Sequence, residues 1–133
     1  MIQNNQHSPF HSLGGEAGVR KLVDRFYDLM DSRPNAQTIR DMHPENLQDS
    51  RQKLFEFLCG FLGGPSLYMQ KYGHPRLRMR HGSFAIDEAA RDNWLACMHQ
   101  ALDEQVEDQI MLMQLKSSFY KTAHHLINTS SIQ

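Results

Sequence analysis

The chain has 133 residues, 40% of them hydrophobic, and a formal net charge of -1. That length holds one domain with a single core, and so small a charge gives no electrostatic case for a nucleic-acid or anionic-membrane partner. No apolar run approaches the ~20 residues of a membrane span, and residues 1–11 lack the apolar stretch of a signal peptide, so the expected compartment is the cytoplasm.

Residues 1–12 are expected to be a mobile N-terminal extension, with Pro9 set against helix. Gly14 and Gly15 then punctuate the chain. The spacing predicts a helix from Glu16 to Met30, because Val19, Leu22, Val23, Phe26, Tyr27 and Met30 share one helical face. Tyr27 reads in two ways. It is either a core tyrosine with its hydroxyl at the surface or a hydroxyl aimed into a ligand pocket, since a buried phenol needs a polar partner.

Residues 31–35 break the helix, and a short helical turn is expected over Ala36–Asp41. His43 and Pro44 follow, and Pro44 suits the first turn of a new helix. That helix is expected from Glu45 to Leu62, with Leu47, Leu54, Phe57, Leu58 and Phe61 on one side and Ser50 as a small polar interruption. Gly63-Gly64-Pro65 ends it. Residues 66–72 read as a short helix or loop. Pro75 keeps residues 73–80 from forming a long helix.

Asp87 is a good N-cap and Glu88 suits the first turn of the next helix. Its apolar face is Trp94, Cys97, Met98, Ala101 and Leu102, and it should stop near Glu104. After the acidic cluster of residues 103–108, a last helix is expected from Glu107 to Asn128, with Leu112, Leu115, Phe119, Ala123 and Leu126 on one face. No strand-like alternation is long enough to build a sheet, so the class is all-α.

Cys59 and Cys97 lie in apolar helical patterns, far from Cys-x-x-Cys spacing, and read as reduced core thiols. Of eight histidines, His124 and His125 are adjacent and point about 100° apart on a helix, which argues against two ligands to one ion. His81 differs. Arg76, Arg78 and Arg80 precede it, and Phe84 and Ile86 follow. A buried metal macrocycle needs that mixture: an imidazole for the metal, apolar side chains for the ring and cations for its acid groups.

Gly73 to His81 (Gly-His-Pro-Arg-Leu-Arg-Met-Arg-His) with Phe84, then Arg91 to Met98, resembles the truncated haemoglobins of group II, the O-type. Leu13-Gly14-Gly15 looks like the family's N-terminal glycine motif, Phe26-Tyr27 its distal tyrosine segment, and Gly63-Gly64-Pro65 with Tyr68 its second glycine motif. The resemblance runs in order from about Leu13 to Asn128. It implies a truncated globin fold over 13–128, a two-over-two helical sandwich around haem b (iron protoporphyrin IX), with a C-terminal tail over 129–133.

The resemblance implies His81 as the proximal iron ligand, with Tyr27, His43 and Trp94 as distal residues that stabilise a bound ligand. The haem wall is then Leu54, Phe57, Leu58, Leu77, Phe84, Ile86 and Met98, with Ser50 leaving a side entrance open. Arg80 and Tyr68 are implied at the haem propionates, with Arg78 assisting. The segment between Tyr27 and His43 is longer than in many members, which raises the hypothesis that His43 itself reaches the iron.

The function expected is binding of dioxygen and other diatomics, carbon monoxide and nitric oxide among them. The polar distal side favours redox chemistry over delivery, namely reduction of peroxide or removal of reactive nitrogen species with an external reductase or electron donor. A monomer or weak homodimer is expected, with no nucleic-acid or membrane partner. The alternative is a cofactor-free helical interaction or nucleic-acid-binding domain that uses Arg76, Arg78 and Arg80 as a basic ribbon. A non-haem histidine metal site is a weaker third reading, because the histidines lack convincing ligand spacing.

Overall fold

The computed structural model describes residues 8–129. In chain order the helices are α1 (Pro9–Ser12), α2 (Gly15–Ser32), α3 (Gln37–Arg40), α4 (Gln48–Phe61), α5 (Leu67–Tyr72), α6 (Leu77–Arg80), α7 (Glu88–Gln105) and α8 (Gln109–His125), with a 3₁₀ turn over Pro34–Ala36. Among the described residues there is no strand, as the all-α expectation requires. The two long pairs, α2 with α4 and α7 with α8, make the two-over-two sandwich, and α2 joins them by packing against both α4 and α7.

The α2 face reads as its spacing predicts. Val19, Leu22, Val23 and Phe26 are fully buried, with Tyr27 and Met30 close behind. Cys97, Met98, Ala101 and Leu102 on α7 meet this face, and Leu112, Leu115 and Phe119 close the core from α8. Both cysteines are buried and free, and burial pushes the Cys59 thiol up to about 11. Asp87 caps α7 by accepting from the Ala90 N–H at 2.8 Å, and Asp108 caps α8 by accepting from Ile110 and Met111.

Three local expectations are corrected. Residues 9–12 form a helix rather than a tail. Pro9 sits at its first position, where the missing N–H costs nothing. The Phe10 N–H donates to the Leu62 carbonyl at 2.9 Å, and its ring packs where a Cβ on Gly64 would stand. The remainder of the expected extension, residues 1–7, lies outside the described residues, as do residues 130–133 of the expected tail.

The second correction is the start of α4, which comes at Gln48 rather than Glu45. The Arg40 guanidinium takes the carbonyls of Pro44 and Glu45 at 2.9 and 2.8 Å, and the Asn46 side chain accepts from Gln48 N–H. Those side-chain bonds hold the segment out of the helix. Third, α8 ends at His125, because Asn128 turns back: its N–H donates to the Ile86 carbonyl and its amide donates to Phe84.

Candidate functional site

Between α2, α4, the α6 segment, α7 and α8 lies a cavity of about 580 Å³. This is a usual size for a small-molecule or cofactor site. Tyr27, His43, Ser50, Leu54, Phe57, Leu58, Tyr68, Leu77, Arg80, His81, Phe84, Ile86 and Trp94 all line it. Met98 and Arg78 do not. Met98 lies one helical turn beyond Trp94 and is fully buried in the α2/α7 core. Arg78 leaves the cavity to donate to the backbone carbonyls of His125 and Ile127 at 2.5 and 3.3 Å.

Helix α4 divides, and its expected wall residues Leu54, Phe57 and Leu58 all border the cavity. Phe55, Cys59 and Leu62 are buried against the neighbouring helices, while Leu54, Phe57 and Phe61 turn toward the cavity and Leu58 borders both. The same division explains the end of α8, where Ala123 and Leu126 line the cavity although Leu112 and Leu115 are core. Sequence reasoning missed Ile39, Met42, Lys53, Ala90, Arg91 and Thr122 as wall residues. Ile39 and Met42 sit in a segment too short for a periodic signal.

His81 follows α6 directly. Its ring Nδ1 lies 2.7 Å from the Leu77 carbonyl. A carbonyl only accepts, so Nδ1 carries the proton in the neutral ring and Nε2 keeps its lone pair. His43 is held in the same way, with Nδ1 2.8 Å from the Ile39 carbonyl. Burial lowers its pKa from the ordinary histidine value, and the charges of Arg40 and His81 add to the effect against the raising contribution of the Ile39 bond. At neutral pH His43 is therefore uncharged, and its Nε2 is an acceptor.

Tyr27 contacts His43 edge to face, with ring centroids 5.8 Å apart. Burial raises the phenol pKa, with Arg51 opposing, so the hydroxyl stays protonated. Its bond to the Ser50 carbonyl is long, 3.4 Å, and easily exchanged for another acceptor. Trp94 stands 5.0 Å from Phe26 and 5.9 Å from Phe119 by ring centroids, and its indole N–H has no hydrogen-bond partner among the described residues. Arg80 sits over the Tyr68 ring at 5.7 Å and donates to the Pro75 carbonyl at 2.7 Å.

The arginine ribbon does not form. Residues 77–80 are helical, so alternate arginines do not share one extended edge, and Arg78 and Arg80 both spend donors on backbone carbonyls. Among the described residues no group of three or more His, Cys, Asp or Glu side chains could hold a bare metal ion.

A model of bacterial-like globins matches residues 8–128. The chain is a group 2 truncated haemoglobin. It is 33% identical to group 2 truncated haemoglobin YjbI of Bacillus subtilis (strain 168), over 96% of this chain and 93% of that protein. Its fold superposes on the cold-adapted truncated haemoglobin of the Antarctic marine bacterium Pseudoalteromonas haloplanktis TAC125 with a TM-score of 0.90 and 47% identity, covering 92% of this chain and 98% of that one. The truncated oxygen-avid haemoglobin of Bacillus subtilis superposes with a TM-score of 0.80 and 36% identity, covering 92% and 100%.

As a truncated haemoglobin the chain is a haem globin that binds dioxygen, and its cofactor is haem b. The cavity suits that group. Its walls are largely apolar, two imidazoles that line it, His43 and His81, each keep an Nε2 lone pair suited to iron, and the cationic Arg80 suits a carboxylate. Among the described residues no helix is long and apolar enough to cross a membrane.

Proposed function

We propose that this truncated haemoglobin uses His81 as its proximal ligand and retains a diatomic ligand through Tyr27 and Trp94, with redox removal of peroxide or reactive nitrogen species as its role. The observation that carries the reading is the division of labour in the cavity. His81 offers a lone pair held in register by Leu77, whereas Tyr27 and Trp94 offer donors with weak or no competing bonds. Haem supplies, when bound, an iron with one exchangeable position and access to one-electron chemistry.

The Leu77 carbonyl fixes the orientation and tautomer of the His81 ring, as a hydrogen-bonded imidazole ligand requires. Tyr27 and Trp94 donate to partial negative charge on dioxygen, each bond contributing about 1.5–3 kcal/mol. His43 accepts a hydrogen bond from a protonated ligand such as hydrogen peroxide and can take its proton, because Nε2 is its unprotonated nitrogen. Leu54, Phe57 and Phe84 would pack against the macrocycle. Arg80, which sits over the Tyr68 ring, would pair with a propionate. Strong retention of dioxygen suits redox turnover better than delivery, and the B. subtilis relative is described as oxygen-avid. An external reductase or small donor closes the cycle.

The test is the absorption spectrum of the haem-reconstituted protein, ferric and then reduced under carbon monoxide. A stoichiometric Soret band that shifts with carbon monoxide is expected. A band insensitive to carbon monoxide sinks the open-site reading. Stopped-flow mixing with peroxide then tests the redox role, and a ferric spectrum that does not respond rejects it.

A further inference from the structure

Tyr68 and Tyr72 lie on α5 with ring centroids 4.7 Å apart. Tyr68 belongs to the cavity wall, where Phe57 meets it edge to face at 6.2 Å. Tyr72 is outside the cavity and half-buried. Two ammonium groups flank its ring, Lys71 Nζ at 5.3 Å and Lys53 Nζ at 5.8 Å from the centroid, and both lysines are exposed.

Behind Tyr72 stands Glu56, the only buried charged side chain among the described residues at 6% exposure. Its Oε2 accepts from Gln52 at 3.0 Å and Lys71 at 3.1 Å. Its Oε1 is buried without a hydrogen-bond partner, and Lys71 bridges the carboxylate to Tyr72, with Nζ 3.1 Å from Oε2 and 5.3 Å from the ring centroid. A buried carboxylate oxygen left unpaired is costly and calls for a reason. A phenol gives up an electron readily only when a base takes its proton, and Glu56 is such a base beside Tyr72.

We infer that Tyr72, with Lys53, Lys71 and Glu56, is an oxidation site for small anionic one-electron donors, connected to the haem cavity through Tyr68. The inference rests on the peroxide reading above. Hydrogen peroxide is the oxidant: with two electrons and two protons it gives two waters. In each half-cycle one electron leaves Tyr72 through Tyr68 for the oxidised haem, and the phenolic proton passes to Glu56. The neutral tyrosyl radical then takes one electron from the donor, and the proton returns from Glu56. Two donor molecules are each oxidised by one electron, and the two protons consumed come from solvent. The two lysines make the donor anionic, because a cationic rim raises the local concentration of such a donor and its encounter rate.

The test uses the haem-loaded full chain with hydrogen peroxide, ascorbate as the anionic probe, and the variants Tyr72→Phe and Glu56→Gln. Freeze-quenched samples of the parent protein should show a tyrosyl radical by electron paramagnetic resonance, and Tyr72→Phe should lose it. Ascorbate oxidation should slow roughly tenfold in Tyr72→Phe, and in the parent it should slow as salt rises. Glu56→Gln, which keeps the volume but not the base, should lower the radical yield. The peroxide-driven change in the haem spectrum should run at the parental rate in Tyr72→Phe. An unaltered radical and an unaltered ascorbate rate in Tyr72→Phe overturn the inference and leave the peroxide reading standing. A haem spectrum that never responds to peroxide overturns both.

Discussion

His43 and His81 line one cavity, and each gives its Nδ1–H to the carbonyl four residues before it, Ile39 and Leu77. Tautomer alone therefore cannot separate their roles, since both leave Nε2 with a lone pair. Placement separates them. His43 is in ring contact with Tyr27, among the residues assigned to the diatomic ligand, whereas His81 follows α6 next to Arg80. Replacing His81 by glycine should give a protein that loses haem on gel filtration and regains a Soret band when free imidazole is added. His43→Phe should keep its haem through the same column. Stable haem in His81→Gly without imidazole would reverse the assignment.

The donor inventory separates Trp94 from His43 in a second way. Trp94→Phe keeps an aromatic ring between Phe26 and Phe119 but removes the only indole N–H. A lost bond of about 1.5–3 kcal/mol corresponds to dioxygen leaving roughly tenfold to a hundredfold faster. His43→Phe removes an acceptor and only a donor already committed to the Ile39 carbonyl, so its dissociation rate should stay within about twofold of the parent. Stopped-flow displacement of dioxygen by carbon monoxide measures both. Equal acceleration in the two variants would show that His43 donates after all.

The contrast between Trp94 and Met98 shows what sequence can and cannot place. Both lie on the apolar face of α7, one turn apart, and periodicity assigns them the same direction. The cavity begins between them, because the helix crosses from the α2 contact to the open centre of the sandwich at that turn. Arg78 and Arg80 present the same difficulty in miniature: two positions along a single turn carry one guanidinium out to the C-terminal backbone and the other to Tyr68. The α2 face was legible since its i, i+3, i+4 pattern is long and unbroken. The α4 start was not, since Arg40, rather than any local rule at Pro44, determines it. The reserved tautomer of His43 was also beyond sequence, because it depends on the carbonyl that α3 happens to present.

Acid should destabilise the fold by a route that runs through two histidines. Burial lowers the pKa of His43, with Arg40 and His81 adding to the effect, and burial likewise lowers that of His99, with Lys116 adding and Asp103 opposing. The unfolded chain binds these protons at the ordinary value of 6.5, while the folded chain resists them. Below that pH the unfolded state holds more protons, so stability falls as pH drops and levels off once the depressed folded values are passed. Melting temperature recorded from pH 7.5 downward should therefore begin to decline near 6.5. The double variant His43→Phe, His99→Phe should have a shallower decline over that window than the parent. Parallel curves would place the acid sensitivity elsewhere.

The α1 helix offers a test of coupling rather than of a single contact. Phe10 is 7% exposed, and its backbone N–H is tied to Leu62. A Cβ on Gly64 would come within 2.5 Å of its ring. Phe10→Ala deletes the ring and should cost about 3 kcal/mol in urea unfolding. Gly64→Ala leaves the ring but evicts it, so it should forfeit a similar part of the same packing. The double variant removes the clash along with the ring, and it should therefore be more stable than the sum of the two losses predicts. A double-mutant cycle reads that difference directly, and neighbours sharing one contact show interaction energies of about 0.5–3 kcal/mol. Strict additivity would mean that Phe10 and Gly64 do not share the contact, and that α1 is held to the end of α4 by the Leu62 hydrogen bond alone.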